Sequence, residues 1–152
     1  MFLRYICINK QGAIGMGYVN TQITLKNFRD VFDAKKGNLP KDKIRQATIS
    51  VMVDTGATTL VINEQLFQQL GLDSIGEREI SLANDLTETC KLTEALEINW
   101  ENRSVVMSAV VIEDAPEFLL GVLPLEGMDL MVDTVNQRLV GAHGDHPVYR
   151  AK

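Results

Sequence analysis

Residues 51–62 read VMVDTGATTLVI, which places one carboxylate between two apolar segments. Apolar and polar residues alternate over Arg45–Val53, a pattern typical of a half-buried strand that runs straight into Asp54. The apolar run Leu60–Ile62 predicts a second strand just after the turn. The sequence therefore predicts a carboxylate held where one strand ends and the next begins.

The turn between these strands has a composition suited to holding an ionisable group. Burying a carboxylate is costly unless hydrogen bonds replace the lost water. Gly56 allows a tight turn and a close approach of the backbone, and Thr55 supplies a hydroxyl that can fix the loop. Because Asp, Thr and Gly are also common in turns that perform no chemistry, the tripeptide alone leaves both interpretations open.

The composition is that of an ordinary globular domain. The chain has 152 residues, of which 45% are hydrophobic and 23% charged, enough for a buried core. We expect a single domain over residues 1–152, with a core at about residues 16–140 and a tail at 141–152. Lys and Arg number 15 against 20 Asp and Glu, a net charge of −5, which argues against nucleic acid or a membrane surface as a partner.

Neither the cysteines nor the hydropathy of the chain indicates secretion. Cys7 and Cys90 lack the spacing of a disulfide framework or a zinc site, which favours a reducing compartment. Arg4 interrupts the apolar start of the chain, and no apolar run approaches the roughly 18 residues of a membrane span. We therefore expect a cytoplasmic location.

The first half of the chain predicts strands separated by short helices. Met16–Leu25 predicts a strand, and Asn27 is a suitable N-cap for a helix at about residues 28–36. Asn63 can cap another helix, and Gly71 is its expected end.

The second half predicts antiparallel β-structure. Ile80–Leu82 and Cys90–Trp100 flank a turn at residues 83–86, which predicts a long hairpin. Ser104–Ile112 reads as one buried strand, and residues 118–121 as another short one. The remaining predicted elements are a helical turn at Pro124–Met128 and two strands, Leu130–Val132 and Arg138–Val140.

The sequence Asp-Thr-Gly-Ala at residues 54–57, between apolar strands, resembles the catalytic loop of the retropepsins, the retroviral-type aspartic proteases. In that family a flap hairpin follows the loop, which matches residues 80–100 with the tip at 84–86. An apolar-apolar-Gly strand and a short helix come next, matching residues 119–121 and 122–128. The resemblance spans roughly residues 49–132 and is greatest to the small cellular, prokaryotic relatives.

Two features depart from the retroviral pattern. The flap tip is Asn-Asp rather than glycine-rich, which bears on the mobility of the flap. About fifty residues precede Asp54, roughly twice as many as in retroviral enzymes, which bears on how the N-terminal strand pairs.

The resemblance implies an all-β fold, a closed-barrel subunit of the acid-protease type with one or two short helices. It implies an aspartic endopeptidase that hydrolyses peptide bonds with a water activated between two carboxylates, with no cofactor and no metal. Because one motif supplies one carboxylate, the resemblance implies a homodimer in which each chain contributes Asp54 across a twofold axis.

The resemblance also assigns roles around Asp54, the catalytic residue. Thr55 braces the paired loops across the interface, within an active-site loop that includes Gly56. Residues expected to bind an extended peptide or protein substrate are Gly56, Ala57 and Thr58 in the cleft and Asn84, Asp85 and Leu86 at the flap tip. Support for the loop is assigned to Leu119, Leu120 and Gly121.

A second Val-Asp-Thr sequence occurs at residues 132–134. Val135 follows it where the loop requires glycine, and a β-branched residue tolerates a positive φ badly. We therefore expect Asp133 to occupy an ordinary turn rather than to supply the second carboxylate.

Three further features have less specific signals. His143-Gly144-Asp145-His146 lacks a fourth ligand and a rigid element, so a solvated tail is favoured over a zinc site. Gly12–Gly17 matches no phosphate-binding pattern. Cys90 lies in a predicted strand without a histidine nearby, so a packing role is favoured over nucleophilic catalysis.

The alternative function is a dimeric peptide-binding or scaffolding module with the same fold and weak catalysis. The intact Asp54, Thr55 and Gly56 favour the enzyme, because a module that only binds has no need of a buried carboxylate pair.

Overall fold

The computed structural model describes residues 18–82 and 84–151. Cys7 and the glycine-rich stretch Gly12–Gly17 lie outside the described residues. None of the helices within those two ranges is long and apolar enough to cross a bilayer.

Strands predominate over helices in the described residues. The helices are α1 (Phe28–Lys35), α2 (Glu64–Gln69) and α3 (Val122–Gly127), and a 3₁₀ turn covers Lys41–Lys43. The strands are β1 (Asn20–Asn27), β2 (Gln46–Val53), β3 (Leu60–Ile62), β4 (Ser74–Ser81), β5 (Thr87–Thr93), β6 (Leu96–Trp100), β7 (Arg103–Met107), β8 (Val110–Val111), β9 (Leu119–Leu120), β10 (Leu130–Asp133) and β11 (Arg138–Gly141).

Over residues 18–82 and 84–151, nine strands form one sheet in the order β4-β5-β8-β3-β9-β2-β1-β6-β7. The sheet curls into a half barrel, and β10 and β11 pair separately as a two-stranded hairpin. The prediction of an all-β fold with short helices is confirmed.

Strand β9 lies between the two strands that flank the Asp-Thr-Gly turn. It pairs in parallel with β2, through Met52 with Leu119 and Val53 with Leu120. It pairs antiparallel with β3, through Leu60 with Leu120. Because β9 separates β2 from β3, residues 54–59 must pass over its end to join them.

Two apolar clusters form the buried core of the described residues. The larger one includes Leu25, Leu60 and Leu120, each with no exposed surface. The smaller one includes Met52, Ala57 and Cys90 and lies beside the Asp-Thr-Gly turn. Burying each large aliphatic side chain contributes about 1.5–3 kcal/mol, so these clusters hold the turn on a rigid base.

The predicted helix caps are confirmed. The Asn27 side chain accepts a hydrogen bond from the Asp30 amide at 3.3 Å, and the Asn63 side chain accepts one from the Leu66 amide at 2.9 Å. Gly71 follows α2 with φ +61°, a conformation that glycine adopts without strain.

The predicted arms of the long hairpin are wrong in extent. The first arm is β4, which begins at Ser74 instead of Ile80, and the second arm ends at Thr93. Residues 96–100 form a separate strand, β6, which pairs with β1 and β7. Most side chains of β4 are exposed on both faces, so its sequence lacks the apolar alternation that would have indicated a strand.

The prediction of one continuous strand over Ser104–Ile112 is also wrong. The run breaks into β7 and β8 around Ala109. The Ala109 amide donates to the Thr93 hydroxyl at 2.9 Å, and the Ala109 carbonyl accepts from the Thr93 amide at 2.9 Å. The sequence is apolar throughout, so its periodicity contains no signal for this break.

Candidate active site

Asp54 lies directly after β2, and its side chain is fully buried. Its amide donates to the carbonyl of Leu120 at 3.0 Å, and its carbonyl accepts from the amide of Ala57 at 3.0 Å. Its Oδ1 accepts from the amide of Gly56 at 2.9 Å. The turn therefore holds both the backbone and one carboxyl oxygen of Asp54.

The second carboxyl oxygen of Asp54 lacks the hydrogen bond that the first one has. Oδ2 is buried and has no hydrogen-bond partner among residues 18–82 and 84–151. Burial raises the Asp54 pKa to about 6, although the amides of Gly56 and Ala57 act to lower it. A buried carboxyl group with an open oxygen and a raised pKa is typical of a functional site.

Gly121 and α3 hold the rest of the turn. A Cβ on Gly121 would lie 2.5 Å from the Thr59 carbonyl and 2.6 Å from the Ala57 carbonyl, so only glycine fits. The amides of Val122 and Leu123 donate to the carbonyls of Ala57 and Thr58, both at 2.9 Å. Of the predicted support residues, Leu120 and Gly121 contact the loop directly, and Leu119 pairs with Met52 and Val61 in the strands on either side of it.

The other predicted loop residues differ in exposure. Thr55 and Thr58 are exposed, and Gly56 is half-buried. Ala57 is buried in the smaller apolar cluster, and the turn and α3 use both of its backbone groups. Ala57 therefore contributes to the structure of the loop, and its binding of a substrate backbone stays a prediction.

The hairpin of β4 and β5 carries the predicted flap tip. The Asn84 side chain accepts from the amide of Leu86 at 3.1 Å, and Leu82 donates to the carbonyl of Leu86 at 2.8 Å. Asp85 has φ +64°, a conformation that Asp tolerates better than most residues. Leu86 is 61% exposed, so the tip presents an apolar side chain to solvent.

A cavity of about 210 Å³ separates the loop from the flap arm. The structure brings Gly56 and Thr58 together here with parts of β3, β4 and β8, while residues 84–86 of the tip are not in its lining. Sequence reasoning missed six lining residues: Thr59, Val61, Glu79, Ile80, Ser81 and Val110. The signal that could have found them is position, since Thr59 lies in the loop itself and the others lie on strands next to the loop or leading to the tip.

Asp133 is the last residue of β10, and its carboxylate is bound by the turn between the last two strands, the site favoured from the sequence. Its Oδ1 accepts from the amides of Val135 and Asn136 at 3.1 Å each, and its Oδ2 accepts from the Asn136 side chain at 2.8 Å. These bonds, chiefly that of the Asn136 side chain, lower the Asp133 pKa.

The histidine-containing tail is exposed but bound to the protein. His143 Nδ1 lies 2.9 Å from Oδ1 of Asp129. The described part of the chain contains no group of three or more His, Cys, Asp or Glu side chains that could hold a metal ion. Cys90 is buried in the smaller apolar cluster, where burial raises the pKa of its thiol.

Comparison with known proteins identifies the class. The model of the "gag-polyprotein putative aspartyl protease" family matches residues 42–127, more than half of the chain. The chain belongs to this aspartic protease family, and the predicted retropepsin-like relationship is confirmed.

A solved structure also matches: a retropepsin-like aspartic protease from Rickettsia conorii, 18% identical, with a TM-score of 0.46. The alignment covers 77% of this chain and 89% of that one. No curated protein sequence matches this chain.

Proposed function

We propose that this protein is a homodimeric aspartic endopeptidase in which each subunit supplies Asp54 to one shared site. The observation that carries the proposal is the open, buried Oδ2 of Asp54 in a member of an aspartic protease family. A second carboxyl group facing this oxygen would give it a partner, because two adjacent carboxyl groups can share one proton.

The proposed chemistry is general acid–base hydrolysis. The ionised Asp54 takes a proton from a water molecule, whose oxygen attacks the peptide carbonyl carbon. The protonated Asp54 of the second copy gives its proton to the carbonyl oxygen, which yields a tetrahedral diol. The first Asp54, now protonated, then gives its proton to the amide nitrogen while the second Asp54 takes a proton from a diol hydroxyl. The carbon–nitrogen bond breaks, a carboxylic acid and an amine leave, and no bond forms between enzyme and substrate.

The proposed roles of the neighbouring residues follow from their exposure and position. Thr55 is exposed beside Asp54 and braces the two loops across the dimer axis. Gly56 and Thr58 line the cavity next to the flap, where they bind the backbone of an extended peptide. The exposed Leu86 at the flap tip closes over that peptide together with Asn84 and Asp85.

The decisive experiment compares Asp54→Asn with Asp133→Asn on a denatured protein substrate. Asp54→Asn should lose at least about a thousandfold in kcat, since general acid–base groups contribute roughly 10²–10⁴-fold and both copies are changed. Asp133→Asn should stay within about threefold of wild type, because its carboxylate serves a turn. Activity lost in Asp133→Asn and kept in Asp54→Asn would refute the assignment.

A further inference from the structure

Helix α3 connects the Asp54 loop to the C-terminal part of the chain. Its first-turn amides, Val122 and Leu123, donate to the carbonyls of Ala57 and Thr58 at 2.9 Å. The first amides of a helix have no partner within the helix, so the loop carbonyls satisfy them. The position of the loop therefore depends on the position of α3.

The other end of α3 is fixed by a buried arginine from β7. Arg103 is 4% exposed, and its Nη1 donates to the carbonyls of Met128 at 3.0 Å and Asp129 at 2.8 Å. Its Nη2 donates to the carbonyl of Gly144. Because the guanidinium group is a rigid planar fork, it ties the residues after α3 to the C-terminal segment in one geometry.

Asp129, two residues after the end of α3, also binds the C-terminal segment. Its carboxylate accepts from His143 Nδ1 at 2.9 Å and from the Val148 amide at 3.0 Å, with Arg103 Nη1 at 3.9 Å. Burial acts to raise the Asp129 pKa, but the Val148 and His143 hydrogen bonds and the Arg103 charge outweigh it and lower the pKa. Asp129 is thus held as a carboxylate that binds two points of the C-terminal segment.

Two further hydrogen bonds join the C-terminal segment to the end of α3. The Ala142 amide donates to the Asp129 carbonyl at 2.9 Å, and the Tyr149 hydroxyl donates to the Gly127 carbonyl. Residues 142–149 therefore bind the end of α3 at several places.

We infer that Arg103 and Asp129 are positioning residues for the Asp54 loop, which they hold through α3 together with residues 142–149. Helix α3 has only six residues, too few to be stable by itself, so contacts at its two ends determine its orientation. A shift at the Arg103–Asp129 end would draw the Val122 and Leu123 amides away from the loop carbonyls. The C-terminal segment is therefore part of the scaffold of the site, although it contributes no side chain to the chemistry.

The experiment compares Asp129→Asn with Asp145→Asn. Both replace a carboxylate in this region by an amide, but the Asp145 side chain is exposed, and the hydrogen bond from Asn102 goes to the Asp145 backbone carbonyl. Amide hydrogen exchange at Val122 and Leu123 should be at least about tenfold faster in Asp129→Asn and unchanged in Asp145→Asn. Unchanged exchange at these amides in a folded Asp129→Asn would overturn the inference.

His143→Ala is a milder variant that tests the same inference if Asp129→Asn does not fold. His143→Ala removes one ligand of the Asp129 carboxylate from a partly exposed side chain and should speed the same exchange by about threefold. If Asp129→Asn does not fold, unchanged exchange in His143→Ala overturns the inference.

The activity measurement rests on the proposed function and is separate from the exchange measurement. At a temperature where circular dichroism shows full folding, Asp129→Asn should lower kcat by about tenfold and leave KM within about twofold, because a displaced loop misaligns Asp54. An unchanged kcat with faster exchange would overturn the positioning role. A wild-type protein without proteolysis would refute the proposed function, while the exchange result would still decide the link through α3.

Discussion

The two oxygens of the Asp54 carboxyl group are unequal within one subunit. Oδ1 accepts from the Gly56 amide at 2.9 Å, whereas the buried Oδ2 has no partner among the described residues. The turn therefore stabilises the charge on one side of the group and leaves the other side for a proton or a second carboxyl group. This asymmetry suits the proton exchange that we propose for Asp54.

Asp54 should make the stability of the fold depend on pH. Its pKa is raised from 3.8 to about 6 by burial, so the folded state binds the proton more tightly than the unfolded state. The free energy of unfolding should therefore fall as the pH rises from about 4 through 6, by about 1–3 kcal/mol, and level off above. Asp54→Asn removes this titration, and urea unfolding of both proteins at each pH measures the difference.

The matched control for this pH dependence is Asp145→Asn. Asp145 lies outside the Asp54 turn, so Asp145→Asn should show the same fall in the free energy of unfolding between pH 4 and pH 7 as the wild type. Two Asp54 groups in contact within a dimer would oppose ionisation further, so dimerisation keeps the sign of the effect. A gap between wild type and Asp54→Asn that is the same at pH 4 and pH 7 would contradict the prediction.

Ala57 should influence the upper pH limit of activity. A hydroxyl at this position can donate to the ionised carboxyl pair and lower its pKa, whereas Ala57 supplies only its amide. We therefore expect a mildly acidic to near-neutral optimum for the wild type, and Ala57→Ser should move the basic limb of the pH–rate profile to lower pH.

Ala57→Cys controls for side-chain size at this buried position. Its thiol is a poor donor, so the basic limb should move little. A wild-type profile that peaks near pH ~3, or a basic limb that is the same with Ser as with Ala, would show that this residue does not set the pKa of the pair.

At the scale of elements, the turn depends on the strand that passes between its two ends. Leu119 and Leu120 pair with both β2 and β3, and Gly121 lies against the carbonyls of Ala57 and Thr59. Residues far apart in sequence therefore fix the geometry of a six-residue loop, 54–59. The loop should be sensitive to changes in β9 that leave its own sequence intact.

Gly121→Ala should disrupt the loop. The added methyl group would lie 2.5 Å from one backbone carbonyl and 2.6 Å from another, and backbone atoms cannot move aside without displacing the turn. We expect a loss of about 1–3 kcal/mol or more in the free energy of unfolding, with proteolysis largely abolished. Thermal unfolding and peptide cleavage measure these two effects.

The matched control for Gly121→Ala is Gly76→Ala. Gly76 lies in β4 with nothing within 4 Å of the added carbon, so this variant should keep wild-type stability within about 0.5 kcal/mol. Equal effects of the two substitutions would mean that the close contact at Gly121 does not control the loop.

Local signals account for the elements that the sequence predicted well. The Asn27 and Asn63 caps and the alternation before Asp54 depend on neighbouring residues only, so they are readable without the fold. The polar strand β4 and the break at Ala109 depend on distant partners, Thr87–Thr93 and Thr93 respectively, which no periodicity contains. The cavity residues on β3, β4 and β8 were missed for the same reason.

At the scale of the whole molecule, the chain contains half of the chemistry proposed for it. Among the described residues, the second Val-Asp-Thr sequence offers Asp133 as the other carboxylate. Its two oxygens already accept hydrogen bonds from Val135 and Asn136 in the adjacent turn. The resemblance read from residues 54–57 gave the class and the candidate residue. The attachment of residues 142–149 to α3 has no sequence signal, since its partners, among them Arg103 and Asp129, come together with this segment only in the folded chain.

The proposed dimer makes activity depend on concentration and on mixing. If each site needs Asp54 from two chains, the specific activity should fall on dilution through the dimer dissociation constant. Asp54→Asn added in excess to wild type should then reduce the activity below that of wild type alone, because most wild-type chains enter heterodimers with a single carboxylate. A ninefold excess leaves roughly one tenth of the wild-type chains in active homodimers under random pairing. Asp133→Asn in the same excess is the matched control, and it should not inhibit, since its Asp54 is intact. Constant activity per chain in a monomer shown by sedimentation would refute the dimer and would require a second carboxylate from the same chain.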